Sequence, residues 1–356
     1  MSYTYLANFD WYNYLYDESR PTQDYNVSIS GGSKNVTYLV SGRYYGQKGV
    51  NRVAPDYFDS YNARAKLSIK LRPWLTLGNN TKFFHSKYTY TGYNDDEKNF
   101  RWPTLHALSS FVPVNPDGTA VSHTSLTEND GHYIMDGYNA MLRKGKAGGY
   151  NATTEGTTTF DLTANICDGL VFKADFSYKF GYLRNRFRNT QAEYSRYPGV
   201  VSVETSKYHT DYFRDVVYEQ NNYTANGYFA YDKTWKETHH FTATAGVNFE
   251  SRNYKDLTVE RNDLLSEDLS DMNLATGDLR TLKGGVSEYA LMGAFYRLTY
   301  DYKSRYLIEF NGRYDGSSRF LKGHQWGFFP SVSAAYRISE EPFWKPIKNV
   351  FNNMKI

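Results

Sequence analysis

The chain has 356 residues, of which 35 are Tyr and 22 are Phe, and its net charge at pH 7 is only +3. The basic residues are spread along the chain, which argues against a nucleic-acid-binding surface. No run approaches the roughly 18 apolar residues that a membrane-spanning helix requires. A transmembrane β-barrel is compatible with this composition, because only every second residue of its strands faces lipid.

Alternating apolar and polar residues predict eleven strands along the chain. The stretch from Leu170 to Phe180 shows the pattern, since its even-numbered residues are apolar or small and most of its odd-numbered ones are polar. Successive side chains of a strand point to opposite faces, so such a ribbon has one apolar and one charged side. In chain order, the predicted strands lie near 24–31, 36–46, 60–72, 74–90, 154–167, 169–184, 219–233, 236–252, 288–303, 305–316 and 326–339.

The predicted connections alternate in length. Short turns lie at 31–34, 72–73, 167–169, 233–236 and 302–305, and long loops at 47–59, 91–153, 185–218, 253–287 and 317–325. Outer-membrane barrels have short periplasmic turns and long extracellular loops. The sequence therefore predicts an all-β, antiparallel transmembrane β-barrel with lipid outside and a polar lumen inside. Trp74, Trp235 and Trp344 near short turns and Trp326 beside a long loop are expected to lie in the interfacial aromatic girdles.

Two long loops contain residues that suggest binding. The aromatic residues Phe100 and Trp102 in loop 91–153 suit sugar stacking or peptide contact, although a loop that covers the barrel mouth and binds nothing is an equal alternative. Loop 253–287 is acidic, and carboxylates are the ligands that Ca²⁺ prefers. No metal-ligand spacing is present, so a solvated surface loop is the favoured interpretation. The acidic residues are Asp256, Glu260, Asp263, Glu267, Asp268, Asp271 and Asp278.

Catalytic and cofactor-binding motifs are missing from the sequence. His239 and His240 lack the HExxH pattern of a zinc site, and neither a Gly-x-Ser-x-Gly motif nor a phosphate-binding loop occurs. The single cysteine, Cys167, has no metal-ligand partner in spacing. We therefore predict that the chain is not an enzyme and has no metal or cofactor.

Two segments near the end carry a family resemblance. Residues 306–320, YLIEFNGRYDGSSRF, and residues 326–343, WGFFPSVSAAYRISEEPF, closely resemble segments of the SusC/RagA family of TonB-linked outer-membrane transporters of Bacteroidetes. Near the front, Asp10-Trp11 and residues 25–33 look like the first barrel strands of that family. The resemblance runs from about Asn8 to the end of the chain.

The resemblance implies a 22-stranded barrel with an N-terminal plug, energised through TonB, that imports glycans or peptides under a SusD-like surface lipoprotein. Residues 1–356 are then expected to be the N-terminal half of the barrel domain, in the outer membrane as part of a longer chain, with the plug and C-terminal strands absent. Five residues are expected to face the substrate path: Phe100, Trp102, Arg297, Glu309 and Arg313.

Other function classes stay open at this point. A passive porin or a surface ligand-binding barrel would share the strand pattern and would need no plug. The N-terminus has no signal-peptide pattern, so the chain is expected to be either cytoplasmic or a piece of a longer protein. A soluble all-β binding protein, favoured only by that missing signal, is the third reading.

Overall fold

The computed structural model describes residues 7–92, 109–110, 112–119, 123–124, 133–134, 147–190, 193–197, 199–203 and 211–356. One helical turn, α1, covers Trp11–Leu15, and 3₁₀ turns cover Met272–Leu274, Ile338–Glu340 and Pro342–Ile347. No helix among these residues is long and apolar enough to cross a membrane. The strands are β1 Thr22–Gly32, β2 Val36–Lys48, β3 Asp56–Arg72, β4 Leu75–Thr91, β5 His123–Thr124, β6 Tyr133–Ile134, β7 Gly148–Cys167, β8 Leu170–Asn189, β9 Glu193–Tyr197, β10 Val200–Val203, β11 Tyr212–Trp235, β12 His239–Asn262, β13 Leu279–Tyr302, β14 Tyr306–Ser317 and β15 Trp326–Tyr336.

Eleven of these strands form one antiparallel sheet in the order β1-β2-β3-β4-β7-β8-β11-β12-β13-β14-β15. Each strand therefore pairs with the next long strand along the chain, as in an up-and-down barrel wall. Strands β1 and β15 lie at the two edges of the sheet formed by the described residues. The predicted all-β, antiparallel fold is confirmed, and all eleven predicted strands are present.

Several strands are longer than the alternation predicted. β12 continues to Asn262 and β13 starts at Leu279, so the predicted bounds of loop 253–287 are wrong and the connection is residues 263–278. A β-barrel strand needs only about 9–11 residues to cross the bilayer, whereas 24 residues extend roughly 80 Å. The strands thus project far beyond the membrane on the long-loop side. Both faces of these projecting segments contact water, so their residues do not alternate between apolar and polar. The sequence pattern therefore does not reveal them as strands.

Aromatic side chains form a band on the outer face beside the short turns. Rings of neighbouring strands contact one another there: the Tyr306 and Tyr336 ring centroids are 5.1 Å apart, and those of His239 and Tyr302 are 5.0 Å apart. Trp235 continues the band at 6.5 Å from Phe241. Such rings prefer the boundary between lipid and water, because one part is apolar and another can hydrogen-bond.

A second aromatic band runs nearer the long loops. It includes the Tyr44–Tyr61 pair at 5.1 Å and the Tyr314–Trp326 pair at 5.0 Å. On β14, Tyr314 and Tyr306 are eight residues apart, about 26 Å along the strand. That spacing matches the height of the apolar band of an outer-membrane barrel, about 25 Å. The two bands thus delimit the membrane-facing zone.

The predicted girdle tryptophans have different surroundings. Trp74 and Trp235 are half-exposed at short turns, and Trp326 stacks on Tyr314 in the long-loop band. Trp344 lies in the helical segment after β15, where its indole N–H donates to the Phe351 carbonyl oxygen at 2.8 Å.

The segment before β1 is packed against the long-loop rim of the sheet. Trp11 and Leu15 are buried there, and the backbone N–H of Arg52 donates to the Leu15 carbonyl oxygen at 2.8 Å. Asp17 holds the end of the segment, with its carboxylate 2.7 Å from Lys48 Nζ and 2.9 Å from Arg52 Nε. Ionic contacts therefore fasten the end of a segment whose Trp11 and Leu15 side chains are already buried.

We expect this attachment to depend on pH. Hydrogen bonds from Lys48 and then Arg52 hold the pKa of the Asp17 carboxyl below its ordinary value. The contribution to stability is therefore complete above about pH 4 and is lost as the pH falls through the lower, folded-state pKa. The protection factors of residues 7–17 against amide hydrogen exchange, which correct for the slower intrinsic exchange in acid, should fall at acidic pH in the native protein. Asp17→Asn should have low protection factors at both pH values; high, pH-independent protection in the Asn variant would contradict the assignment.

Candidate transport wall

Three of the predicted path residues lie together on the inner face of the sheet. Arg297 of β13 and Glu309 of β14 form an ion pair with Nη2 and Oε2 2.7 Å apart. Asn311 Nδ2 donates to the other carboxylate oxygen of Glu309 at 2.6 Å. In the β-ladder Thr299 lies opposite Glu309 and Asn311 opposite Arg297, so these side chains share one face.

Arg313 is the centre of a second polar group on the same face. Its Nε and Nη2 donate to the two carboxylate oxygens of Asp315 at 3.0 and 2.9 Å. Nη2 also donates to Asn248 Oδ1 of β12 at 3.1 Å. A Cβ atom on Gly293 would collide with the Asp315 carboxylate, so the glycine leaves the space that the group fills. Residues of β12, β13 and β14 thus position the Arg313 guanidinium on this face of the sheet.

A cavity of about 390 Å³ opens beside Arg313. The connection between β14 and β15 covers one side of it with Phe320 and His324, while Phe329 of β15 lines another side. Half of the Arg313 side chain stays exposed, so its charge is accessible from the cavity. The arrangement combines an apolar ring surface with a donor and an acceptor, which is the chemistry of a polar-ligand subsite.

The structure adds aromatic and basic residues that the sequence analysis missed. The guanidinium of Arg252 lies 5.5 Å from the Tyr254 ring centroid, and that of Arg319 lies 4.2 Å from the Tyr289 centroid. The Tyr289 hydroxyl donates to Glu250 Oε1 at 2.6 Å. These side chains belong to the projecting parts of β12 and β13 and to the loop after β14. If the alternation of faces had been followed beyond residue 252, Tyr254 would have been placed on the same face as Arg252.

The guanidinium of Arg252 on this upper wall is only partly hydrogen-bonded. Arg252 Nη2 donates to Gln220 Oε1 at 2.7 Å, whereas its buried Nε has no hydrogen-bond partner among the described residues. A buried donor without a partner loses its bond to water and gains nothing in return.

The structure describes the acidic residues of the predicted loops but not the two aromatic ones. Phe100 and Trp102 are outside the described residues, so their role stays a prediction. Asp256 and Glu260 are strand residues, and Glu260 contacts Arg280 Nε at 3.2 Å. Within the described ranges, no group of three or more His, Cys, Asp or Glu side chains has the arrangement of a metal site.

The two consecutive histidines have structural contacts near the short turns. His239 Nδ1 is 2.7 Å from the Tyr300 hydroxyl, and His240 Nε2 is 3.0 Å from Asp232 Oδ1. Their side chains alternate between the two faces of β12, as neighbours on a strand must. They therefore do not converge on one site.

Comparisons with curated proteins connect the whole chain to TonB-dependent receptors, whereas no family model matches it. The chain is 26% identical over 364 residues to TonB-dependent receptor P26 of Formosa agariphila, covering 98% of this chain and 33% of that protein. It is also 26% identical over 387 residues to TonB-dependent receptor SusC of Bacteroides thetaiotaomicron, covering 98% of this chain and 34% of SusC. The chain thus spans about a third of the length of the curated relatives it matches.

Solved structures show the same fold. The RagAB peptide importer in its open-open state aligns with a TM-score of 0.73 at 20% identity, over 96% of this chain and 36% of that one. The ferripyoverdine receptor of the outer membrane of Pseudomonas aeruginosa aligns with a TM-score of 0.52 at 12% identity, over 88% of this chain and 38% of that one. The sheet therefore shares the fold of the barrel walls of these two proteins.

These findings confirm the SusC/RagA resemblance and its consequences for class and location. The chain is related to TonB-dependent receptors, including SusC, and its membrane-facing zone lies in an outer membrane. The relatives carry receptor and transporter names, which confirms the prediction of a non-enzymatic protein. The alternative of a soluble all-β binding protein is therefore rejected.

Proposed function

We propose that this chain forms part of the barrel wall of a TonB-dependent outer-membrane transporter that imports glycans or peptides. One observation supports the proposal most directly. In a chain related to SusC, the outer face of the sheet has two aromatic bands and the inner face has charged and aromatic side chains. Residues 1–356 correspond to about half of a 22-stranded barrel domain, with plug and remaining strands supplied by other parts of the protein.

The same relationship supports the choice of partners. SusC is named as a TonB-dependent receptor, and the RagAB neighbour is named as a peptide importer. We infer that a SusD-like surface lipoprotein covers the long-loop side and that TonB supplies energy from the other side. The projecting strands suit this assignment, because their 24-residue length raises the rim well above the bilayer.

Charges of both signs on the wall suit a polar cargo. Arg297, Glu309 and Arg313 are held by neighbours but stay partly exposed toward the inner side. Cargo hydroxyl, amide or carboxylate groups can exchange with these contacts one at a time, because paired surface charges are bound only weakly. A neutral or zwitterionic glycan or peptide would thus pass along the wall without contacting an unpaired charge.

Removing Arg313 tests this path. We expect Arg313→Ala in the intact transporter to lower uptake at limiting substrate about tenfold, because one charge-assisted hydrogen bond contributes roughly 1.5 kcal/mol. The measurement is uptake of a growth-supporting glycan or peptide by cells with equal surface amounts of each variant. Lys255→Ala is the matched control, since Lys255 lies on the same sheet with the parity of the outer face. Equal uptake by both variants would contradict a role for Arg313.

Energy dependence separates the proposal from a passive porin. Uptake by cells that lack TonB, or that are treated with a protonophore, should fall to background if import is energised. Uptake that continues unchanged in those cells would establish the porin alternative instead.

A further inference from the structure

The segment after β15 differs from the other connections on the short-turn side. Five strand pairs there are joined by two or three residues, as in Pro73–Trp74 and Asp168–Gly169. After β15, in contrast, consecutive 3₁₀ turns occupy Ile338–Glu340 and Pro342–Ile347 before the chain returns to Tyr336. Ile356 then exchanges two backbone hydrogen bonds with Tyr336, at 2.8 and 2.9 Å. The connection after β15 is therefore longer than the tight turns that join the other strands on this side.

Glu341 fixes the start of this segment on the lipid-facing side of the wall. Its carboxylate accepts hydrogen bonds from the Tyr306 hydroxyl at 2.9 Å and the Tyr336 hydroxyl at 3.2 Å. Both tyrosines belong to the outer aromatic band, since they share strand parity with the exposed Phe310 and Val332. Arg305 Nη1 binds the other carboxylate oxygen at 3.0 Å.

The residues that follow present apolar side chains to the surroundings. Phe343 is 66% exposed, Val350 78% and Phe351 62%. They are held in place: Trp344 Nε1 donates to the Phe351 carbonyl oxygen at 2.8 Å, and the Phe351 N–H donates to the Ile347 carbonyl oxygen at 2.9 Å. A fixed apolar surface of this kind marks a contact with another phase or molecule.

The charges of the segment are all of one sign. Residues 342–351 contain Lys345 and Lys348 and no carboxylate. Lys348 Nζ lies 3.3 Å from Glu340 Oε1 at the surface, a pair that a stronger anion can replace. Basic residues beside exposed aromatic and aliphatic ones, at the level of an aromatic band, match the composition of interfacial membrane segments.

We propose that residues 342–351 insert into the headgroup region of the leaflet on the short-turn side. Phe343, Val350 and Phe351 enter the boundary between headgroups and acyl chains, and Lys345 and Lys348 bind lipid phosphates. Continuity with the outer aromatic band and the positive charge favour a phospholipid surface as the occupant. The segment thereby fixes the height of the wall in the membrane.

Lipid-depth quenching tests the insertion. The intact protein, with Cys167 and every cysteine of its other parts replaced by Ser, is reconstituted into vesicles of phosphatidylcholine and phosphatidylglycerol, and an environment-sensitive fluorophore is attached through Val350→Cys. A phosphatidylcholine spin-labelled near the headgroup should quench this probe about twofold, because interfacial segments lie within 5–10 Å of that depth. Leu321→Cys is the control, since Leu321 is 83% exposed in the loop at the opposite end of β14; its probe should be unaffected.

Two results would overturn the proposal. A Val350→Cys probe that emits as in water and is not quenched would show that the segment stays outside the membrane. A probe with apolar emission but no quenching would show that protein, not lipid, covers it. The lysines are tested by Lys345→Gln with Lys348→Gln, which should reduce quenching in these anionic vesicles; unchanged quenching would contradict their assigned role.

Discussion

Phe310→Arg should destabilise the folded protein in a membrane by about 2 kcal/mol or more, the cost of an arginine near the middle of the lipid-facing zone of a barrel. Phe310 is 40% exposed on the outer face of β14, four residues from Tyr306 in one aromatic band and four from Tyr314 in the other. Its ladder neighbours are Leu298 and Val332, which cannot solvate a guanidinium. Urea titration of folding into vesicles, followed by heat-modifiable migration on gels, measures the difference from the wild type.

Ser333→Arg provides the inward-facing control at the same height. Ser333 follows Val332 on β15 and lies opposite Glu309 in the ladder. An arginine there gains a carboxylate partner and faces the polar side, so its stability should stay close to that of the wild type. Equal losses for the two arginine variants would mean that the inner and outer faces have been assigned wrongly.

Glu341→Ala should be the most damaging single change near the short turns. The Glu341 side chain is only 10% exposed and accepts from Arg305, Tyr306 and Tyr336. Removing it leaves three donors without their acceptor, one of them charged. Because a hydrogen bond to a charged group contributes about 1.5–3 kcal/mol, we expect a loss of about 3 kcal/mol. Unfolding in urea measures it.

The preceding residue is the matched control. Glu340 contacts only Lys348 at the surface among the described residues, and both side chains are more than a third exposed. Exposed pairs of this kind contribute between zero and about 1 kcal/mol. Glu340→Ala should therefore unfold at nearly the urea concentration of the wild type. A Glu341→Ala variant as stable as Glu340→Ala would show that Glu341 does not anchor the segment.

Local patterns accounted for the fold and for the face of most side chains. Strand alternation is a property of neighbouring residues, so Arg297, Glu309 and Arg313 could be placed on the polar face without knowledge of any partner. The alternation of short and long connections gave the direction of each strand. The same logic failed above the membrane, because strands that meet water on both faces lose the apolar face that reveals them.

Which side chains meet was decided only by the tertiary structure. Arg313 contacts Asn248, 65 residues earlier in the chain, because β12, β13 and β14 align in one register and Gly293 leaves the space between them. Register depends on the whole ladder and its turns rather than on any local run of residues. The sequence by itself therefore determined the two faces of the wall. The tertiary structure decided the length of the strands, the Arg313 group and the place of Glu341, since each rests on hydrogen bonds between distant residues.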